Sequence, residues 1–373
     1  MPTADDVDTV AFGTRRMRRA RPTNDGGTVE TPSAHRAMPP PVPASAGAIA
    51  AGLVNASRRS LREEVIRHLQ VVPTLPLPGG GATLARWRAL AGMAAQDVCL
   101  AKVLEAHHDA LAILSEIGPG DDQAPEGLLA VWAAEPPDAR LIYTPTSGQG
   151  GTLSGTKAWC SGADLVDEAL VTAHSDQGRV LVCVALSQTG VSGVDDSWKA
   201  VGMARVNSGR VSFSGARATP VGPPEAYLDR PGFWHGGAGI AACWYGAATA
   251  IAETLRTDPR VQKDAFAQVH LGAIDIALQS CRAMLRQLAA TIDAEPAQPH
   301  VLGVIRARSL VERSCTRVID RVGRALGPAP LCADADHAQR CADLAVFIRQ
   351  SHGERDWAAI GKGVSAEPDP WQL

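Results

Sequence analysis

At 373 residues and 45% hydrophobic content, the chain is long enough for two or three structural layers around a substantial core. A formal net charge of −3 and a pI near 6.4 exclude the global positive surface that would draw it onto nucleic acid or an anionic membrane. Small-molecule chemistry is the better starting expectation.

Residues 1–45 mix Pro, Gly, Ser, Thr and charge without a sustained apolar period, and are expected to form a disordered tail. The run RRMRRAR, Arg15 to Arg21, lies beside acidic residues and reads as a solvated arm. AGAIAAGLV, Ala46 to Val54, is too short to span a bilayer, and no charged-then-apolar leader opens the chain, so the expected location is cytoplasmic. The eight cysteines (Cys99, Cys160, Cys183, Cys243, Cys281, Cys315, Cys332 and Cys341) show no CxxC spacing and read as reduced, mostly buried thiols.

Good helix formers recur at helical spacing from Ser57 to Gln70 and from Thr83 to Ile117, with Leu84, Trp87, Leu90, Cys99, Val103 and Leu104 on the apolar stripe. This predicts an N-terminal helical domain over 46–122, with PLPGGG, Pro76 to Gly81, as a mobile loop over a cleft. In EAHHDA, His107 and His108 are adjacent and so face different ways; they read as exposed histidines rather than a metal pair, and no metal site is expected. GGGATL and GPGDD lack the spacing of a phosphate-binding loop.

The period then changes to that of strands. LLAVWAA, RLIYT, TLSGTKAW, EALVTAH, RVLVCVAL and GRVSFS are short alternating or β-branched runs divided by turns, predicting an antiparallel β-domain over 123–222. From Trp234 the pattern is helical again, giving a bundle over 223–364 and a tail at 365–373. Within the bundle, DADHAQR is read as an N-capping Asp leading a helix.

Three stretches carry a more specific signal: LSGTKAWCSGADLVDEALVTA, SWKAVGMARVNSGRVSFSGARA and RALGPAPLCADADHAQRCADLAVFIRQSHGERD. Together with the helical, β, helical order, they resemble the acyl-CoA dehydrogenase superfamily over roughly residues 75–363. The resemblance implies a mainly α fold with a central β-domain: an N-terminal helical domain, a middle antiparallel β-barrel and a C-terminal four-helix bundle. It implies FAD as cofactor. The family's W-I-T/S segment after a G-x-K turn packs against the flavin ring; here Trp159, Cys160 and Ser161 stand there, with Trp159 shielding one face and Ser161 near N5. A flat tricycle needs an apolar wall, and its polar edge needs short hydrogen-bonding groups. Trp132 either widens that wall or packs inside the strand.

Two departures matter. The family's T-E-P-x-x-G-S-D signature survives as Glu135 and Pro136, but Ala134 replaces the hydroxyl residue and the Gly-Ser-Asp part is gone, which damages acyl-CoA binding more than flavin binding. The usual catalytic Glu, counted on from Asp343, falls at Ser351 and His352. Glu354, slightly further on, is then a candidate base; His352 is a candidate base or a hydrogen-bond donor in oxygen chemistry. HGERD also reads as a helix end with paired charges.

The resemblance therefore implies an FAD-dependent α,β-dehydrogenation of an acyl-CoA or related thioester, with hydride passing to flavin N5 and electrons to a transfer partner or to oxygen. The alternatives are a flavin-dependent monooxygenase on the same fold and a degenerate, non-catalytic homologue. It also implies a homodimer or homotetramer built through the C-terminal helices, where Ala273, Ile276, Ala277 and Ser280 form a small apolar face suited to close helix approach.

Overall fold

The structure, a computed structural model, describes residues 60–118, 127–148, 150–193, 197–368 and 371–372. The expected tail over 1–45, its Arg15–Arg21 run and the Ala46–Val54 segment lie outside the described residues.

Helix α1 covers residues 60–71, α2 Thr83–Gln96 and α3 Val98–Ile117. Asp97 breaks what the periodicity reads as one helix: its carboxylate accepts the Leu100 N–H and caps α3. The PLPGGG loop is tied down, contrary to the mobile cover expected. Gly79 N–H donates to Thr83 Oγ1, and the Gly81 and Thr83 amides with the Thr83 hydroxyl all donate to the Asp293 carboxylate. An acid at a helix N-terminus satisfies amides that the helix leaves unpaired.

Among the described residues seven strands follow: β1 Leu129–Trp132, β2 Leu141–Pro145, β3 Gly151–Lys157, β4 Glu168–Ser175, β5 Gly178–Ala185, β6 Val191–Ser192 and β7 Val211–Pro220. Strands β4, β2, β3, β7 and β5 are joined in that order, and β5 pairs back onto β4, closing a five-stranded barrel. The expectation of a purely antiparallel domain needs correcting. β1 and β2 both run parallel to β4, β1 along Glu168 to Val171 and β2 at His174. They occupy one edge of β4 in succession because Pro136 and Pro137, which lack amide donors, interrupt the ladder between them.

Beyond the barrel come α4 (Ala226–Asp229), α5 (Pro231–Arg256), α6 (Ala265–Ala294), α7 (Val301–Leu326), α8 (Ala329–Ala333), α9 (Ala335–Phe347) and α10 (Glu354–Ala366). Asp334 accepts the His337 N–H and caps α9. α5 packs against α6, α7 and α9 of the C-terminal half and equally against α2. At the α2 crossing, a Cβ on Gly246 would stand 2.0 Å from the Ala91 carbonyl oxygen, so only glycine permits this approach. One continuous apolar core runs through α2, α3, the barrel interior, α5, α6, α7 and α9.

The barrel is joined to the helices at Asp343 on α9. This carboxylate is buried, accepts the Met203 N–H at 2.5 Å and the Gln339 side-chain amide at 2.7 Å, and takes the Cys99 thiol of α3 at 3.6 Å. Burial pushes its pKa up, opposed by those hydrogen bonds. The fit is tight: a Cβ on Gly202 would fall 2.0 Å from the Ala342 carbonyl. Arg205 adds an ion pair to Asp97 from the same turn.

Candidate functional site

The chain leaves β3 at Lys157 and turns sharply through Trp159 to Gly162. Trp159 has φ +59°, a left-handed conformation that costs an L-residue with a large side chain on the order of 1–2 kcal/mol. The turn is held by backbone bonds from Cys160 N–H to Gly209 and from Gly162 N–H to Asn207. Asn207 Oδ1 accepts the Gly209 N–H to brace the facing loop. This conformation swings the Trp159 indole outward, leaving it 58% exposed. A strained, exposed tryptophan spends stability on presenting an aromatic surface.

That surface has a second wall. The Trp198 indole meets Trp159 edge to face, with centroids 6.4 Å apart and planes at 87°, and its own N–H is anchored on the Met203 carbonyl. Ser161 is half-buried beside it, its hydroxyl bonded to Ser208 Oγ at 2.9 Å. Trp132 is buried: it is a packed strand residue whose indole N–H donates to the Ser161 carbonyl at 3.1 Å and fixes the turn from beneath. The Cys160 thiol points inward to the Lys157 carbonyl, so this residue offers the outside only its backbone. Ala134 is exposed on the segment leaving β1. Trp159, Ser161, Trp198 and Ser208 thus form one polar-edged aromatic corner.

Under the corner, Lys157 is 3% exposed and its ammonium donates to both the carbonyl and the hydroxyl of Thr172 at 2.7 Å. The Thr172 hydroxyl donates on to Glu135 at 2.7 Å, and Arg179 closes the chain on the other Glu135 oxygen at 3.1 Å. Glu135 is therefore anchored inside the protein. Where the Gly-Ser-Asp element is missing, Asp138 pairs instead with Arg210.

His352 and Glu354 stand on other elements. His352 precedes α10 and is exposed; its Nδ1 lies 3.4 Å from Asp356 Oδ1, and its backbone N–H donates to Asp356 Oδ2. Burial works to raise the Asp356 carboxyl, but the His352 bond and charge, aided by Arg308, outweigh it and hold it below the usual range. Glu354 is exposed in the first turn of α10. Helix α10 packs on α7, whereas the Trp159 corner is braced by the barrel and the 207–209 loop, so these two groups of predicted site residues are carried by separate supports.

The histidines of α3 are buried rather than exposed as expected. His107 Nδ1 accepts the Leu129 N–H, and burial pulls His108 down to about 3, keeping it neutral. Among the described residues no cluster of His, Cys, Asp and Glu is arranged to hold a metal. A groove of about 770 Å³ at the other end of the barrel, lined by Gly151, Glu168, Cys183 and Arg217 among others, contains none of the predicted site residues. Trp198 and Ser208 do not stand out in the sequence because only the fold brings their loops against residues 159–161. A Trp in a Gly-rich polar loop was their one available signal.

Comparison with solved structures decides the architecture. Dibenzothiophene monooxygenase TdsC from Paenibacillus sp. A11-2 aligns over 88% of this chain and 99% of its own, with TM-score 0.68 and 19% identity. Butyryl-CoA dehydrogenase from Megasphaera elsdenii aligns over 76% and 82%, with TM-score 0.67 and 16% identity. Glutaryl-CoA dehydrogenase from Mycobacterium smegmatis aligns over 84% and 89%, with TM-score 0.72 and 17% identity.

The chain has the acyl-CoA dehydrogenase fold.

Within that fold the helical and barrel parts occur in the order the resemblance implies, mostly helical around a central β region. No family profile matches the chain. In sequence, dibenzothiophene monooxygenase of Rhodococcus erythropolis is 34% identical over 100 residues, 24% of this chain and 24% of that protein. The chain thus matches about a quarter of the length of its curated relatives.

Proposed function

We propose that the chain is a flavin-dependent monooxygenase acting on a planar aromatic substrate. The observation that carries this reading is the His352–Asp356 pair, in which an imidazole, His352, falls in the region where the resemblance counts a catalytic carboxylate. A carboxylate there suits abstraction of a proton from a thioester; an imidazole oriented by an acid suits holding or delivering a proton at an oxygen. Replacement of the Gly-Ser-Asp element by Pro137 and Asp138 also removes groups the family uses on the thioester.

The aromatic corner fits a flavin. Trp159 gives the apolar face that a flat ring requires, and the Ser161–Ser208 pair gives hydroxyls for its polar edge, with the strained backbone at Trp159 maintained to present them. When bound, flavin supplies two-electron exchange with substrate or oxygen. Relatives on this fold include TdsC bound to FMN and glutaryl-CoA dehydrogenase with FADH2, so FAD, the cofactor first expected, and FMN are both candidates. The net reaction takes dioxygen, two electrons from reduced flavin and two protons, places one oxygen atom on the substrate and releases the other as water. In the tautomer that donates Nδ1–H to Asp356, the exposed His352 has Nε2 available to hold or deliver a proton.

A second reading, the acyl-CoA dehydrogenase first implied, rests on Glu354, which is exposed at the start of α10 as a carboxylate of the required type. A homo-oligomer belongs to the same proposal, supported by the exposed face of α6, where Phe266 is 80% and Ile276 69% exposed. Ala277, expected on that face, is buried. All eight cysteines are free, in keeping with the expected cytoplasmic location. Among the described residues no helix is long and apolar enough to cross a membrane.

The test is to load the protein with FMN or FAD, reduce it, admit oxygen with indole or dibenzothiophene, and analyse the products by mass spectrometry. The proposal expects a product with one added oxygen atom. Flavin oxidation with release of hydrogen peroxide and no oxygenated product from either aromatic, combined with desaturation of an acyl-CoA thioester, would transfer the case to the second reading.

A further inference from the structure

We propose that Lys157 is a positioning residue which, through Thr172 and Glu135, ties the strand end that leads into the aromatic corner to the segment leaving β1. This rests on the flavin reading of that corner. Neither segment is held by the barrel ladder alone. The β1 strand ends at Trp132, so Ala133 to Glu135 leaves the sheet, and β3 ends at Lys157 itself, two residues before the strained Trp159. Thr172, at the middle of β4, lies between them and is bonded to both sides. Its carbonyl and hydroxyl take the Lys157 ammonium, and its hydroxyl donates to Glu135.

The arrangement is more than a packed ion pair. The Lys157 ammonium is 3.8 Å from Glu135, so its charge is balanced chiefly across the shared threonine, while Arg179 and His174 face Glu135 from β5 and β4 at 3.1 and 3.6 Å. The Cys160 thiol faces the same buried stem from the turn, bonded to the Lys157 carbonyl. A buried cation so placed does two things. It orders the exits of two strands, and it holds a buried positive charge on the residue two positions before Trp159. Burial, partly offset by Glu135, lowers the Lys157 pKa to about 8, so the lock is charged at neutral pH and loses its proton within an accessible range. A neutral amine leaves Glu135 to Arg179 and Thr172 and loosens the tie to β3.

Full-length wild type, Lys157→Met and Lys157→Arg are compared by two readouts. The first is FMN and FAD titration at pH 7 and pH 9, followed by flavin fluorescence. The second needs no flavin: the emission of Trp159, taken as each protein minus its Trp159→Phe counterpart, is followed from pH 6.5 to 9.5. Wild type is expected to lose flavin affinity roughly three- to tenfold between pH 7 and 9, with the Trp159 emission shifting around a midpoint near 8. Lys157→Met should bind flavin weakly and without pH dependence at both values, and Lys157→Arg should restore tight, pH-independent binding. A Lys157→Met protein with wild-type flavin affinity and an unchanged Trp159 pH profile would overturn the proposal. If wild type takes up no flavin, the cofactor reading fails by itself, and the Trp159 profile still decides whether Lys157 positions the turn.

Discussion

Among single residues, Trp159 combines backbone strain with an exposed aromatic surface. Its left-handed backbone costs on the order of 1 kcal/mol that glycine would not incur. Trp159→Gly is therefore expected to raise the melting temperature of the flavin-free protein while lowering flavin affinity by at least about tenfold, near 1.4 kcal/mol. Thermal melting and flavin titration on the same samples check both halves, and a variant that is less stable and binds flavin normally would remove Trp159 from the site. For the proton-handling pair, His352→Gln and Asp356→Asn should each lower turnover roughly a hundredfold or more, and the double variant should be little worse than the singles because they act as a unit. Additive losses in steady-state kinetics would speak against the pairing. Trp159 and Ser161 could be proposed from the sequence because they sit in one contiguous motif. Trp198, Ser208 and Lys157 were not, since their roles arise from a ring contact, a hydroxyl pair and a buried threonine that only the folded barrel creates.

Elements were legible where the period is clean and misread where one side chain overrides it. The apolar stripe through Thr83 to Ile117 is continuous, yet the Asp97 cap divides it into two helices. The strand runs were legible too, but their directions depend on which edges close the barrel, a matter of long-range pairing that alternation does not encode. At the α2–α5 crossing the prediction is sharp. Gly246→Ala places a methyl against the Ala91 carbonyl and should cost about 1–3 kcal/mol by overpacking, read as a lower denaturation midpoint with an unchanged slope. On α6, Phe266→Asp should shift the protein to a smaller species in analytical ultracentrifugation while leaving its far-ultraviolet circular dichroism intact; an unchanged sedimentation coefficient would place the subunit contact elsewhere.

For the molecule as a whole, one apolar core binds the helices to the barrel, and Asp343 is the joint through which α3, α9 and the 202–205 turn are fixed together. Several thiols in and around this core have pKa values raised by burial: Cys99, Cys243, Cys315 and Cys183, the last to about 12. These thiols stay protonated in the fold while the unfolded chain ionises above roughly pH 9, so stability is full below that value and falls as pH rises toward 12. Chemical denaturation between pH 7 and 11 should show the decline, and a flat profile would contradict the buried-thiol assignment. The order of parts was readable because composition switches twice along the chain; the chemistry was not, because one fold serves dehydrogenases and oxygenases alike and the difference lies in a few side chains. The central claim is best tested by the visible spectrum of the flavin-loaded protein during anaerobic addition of butyryl-CoA. The monooxygenase reading predicts flavin bands that persist unchanged, because the resemblance counts its base to His352 rather than to a carboxylate. Bleaching of those bands by the thioester would contradict it.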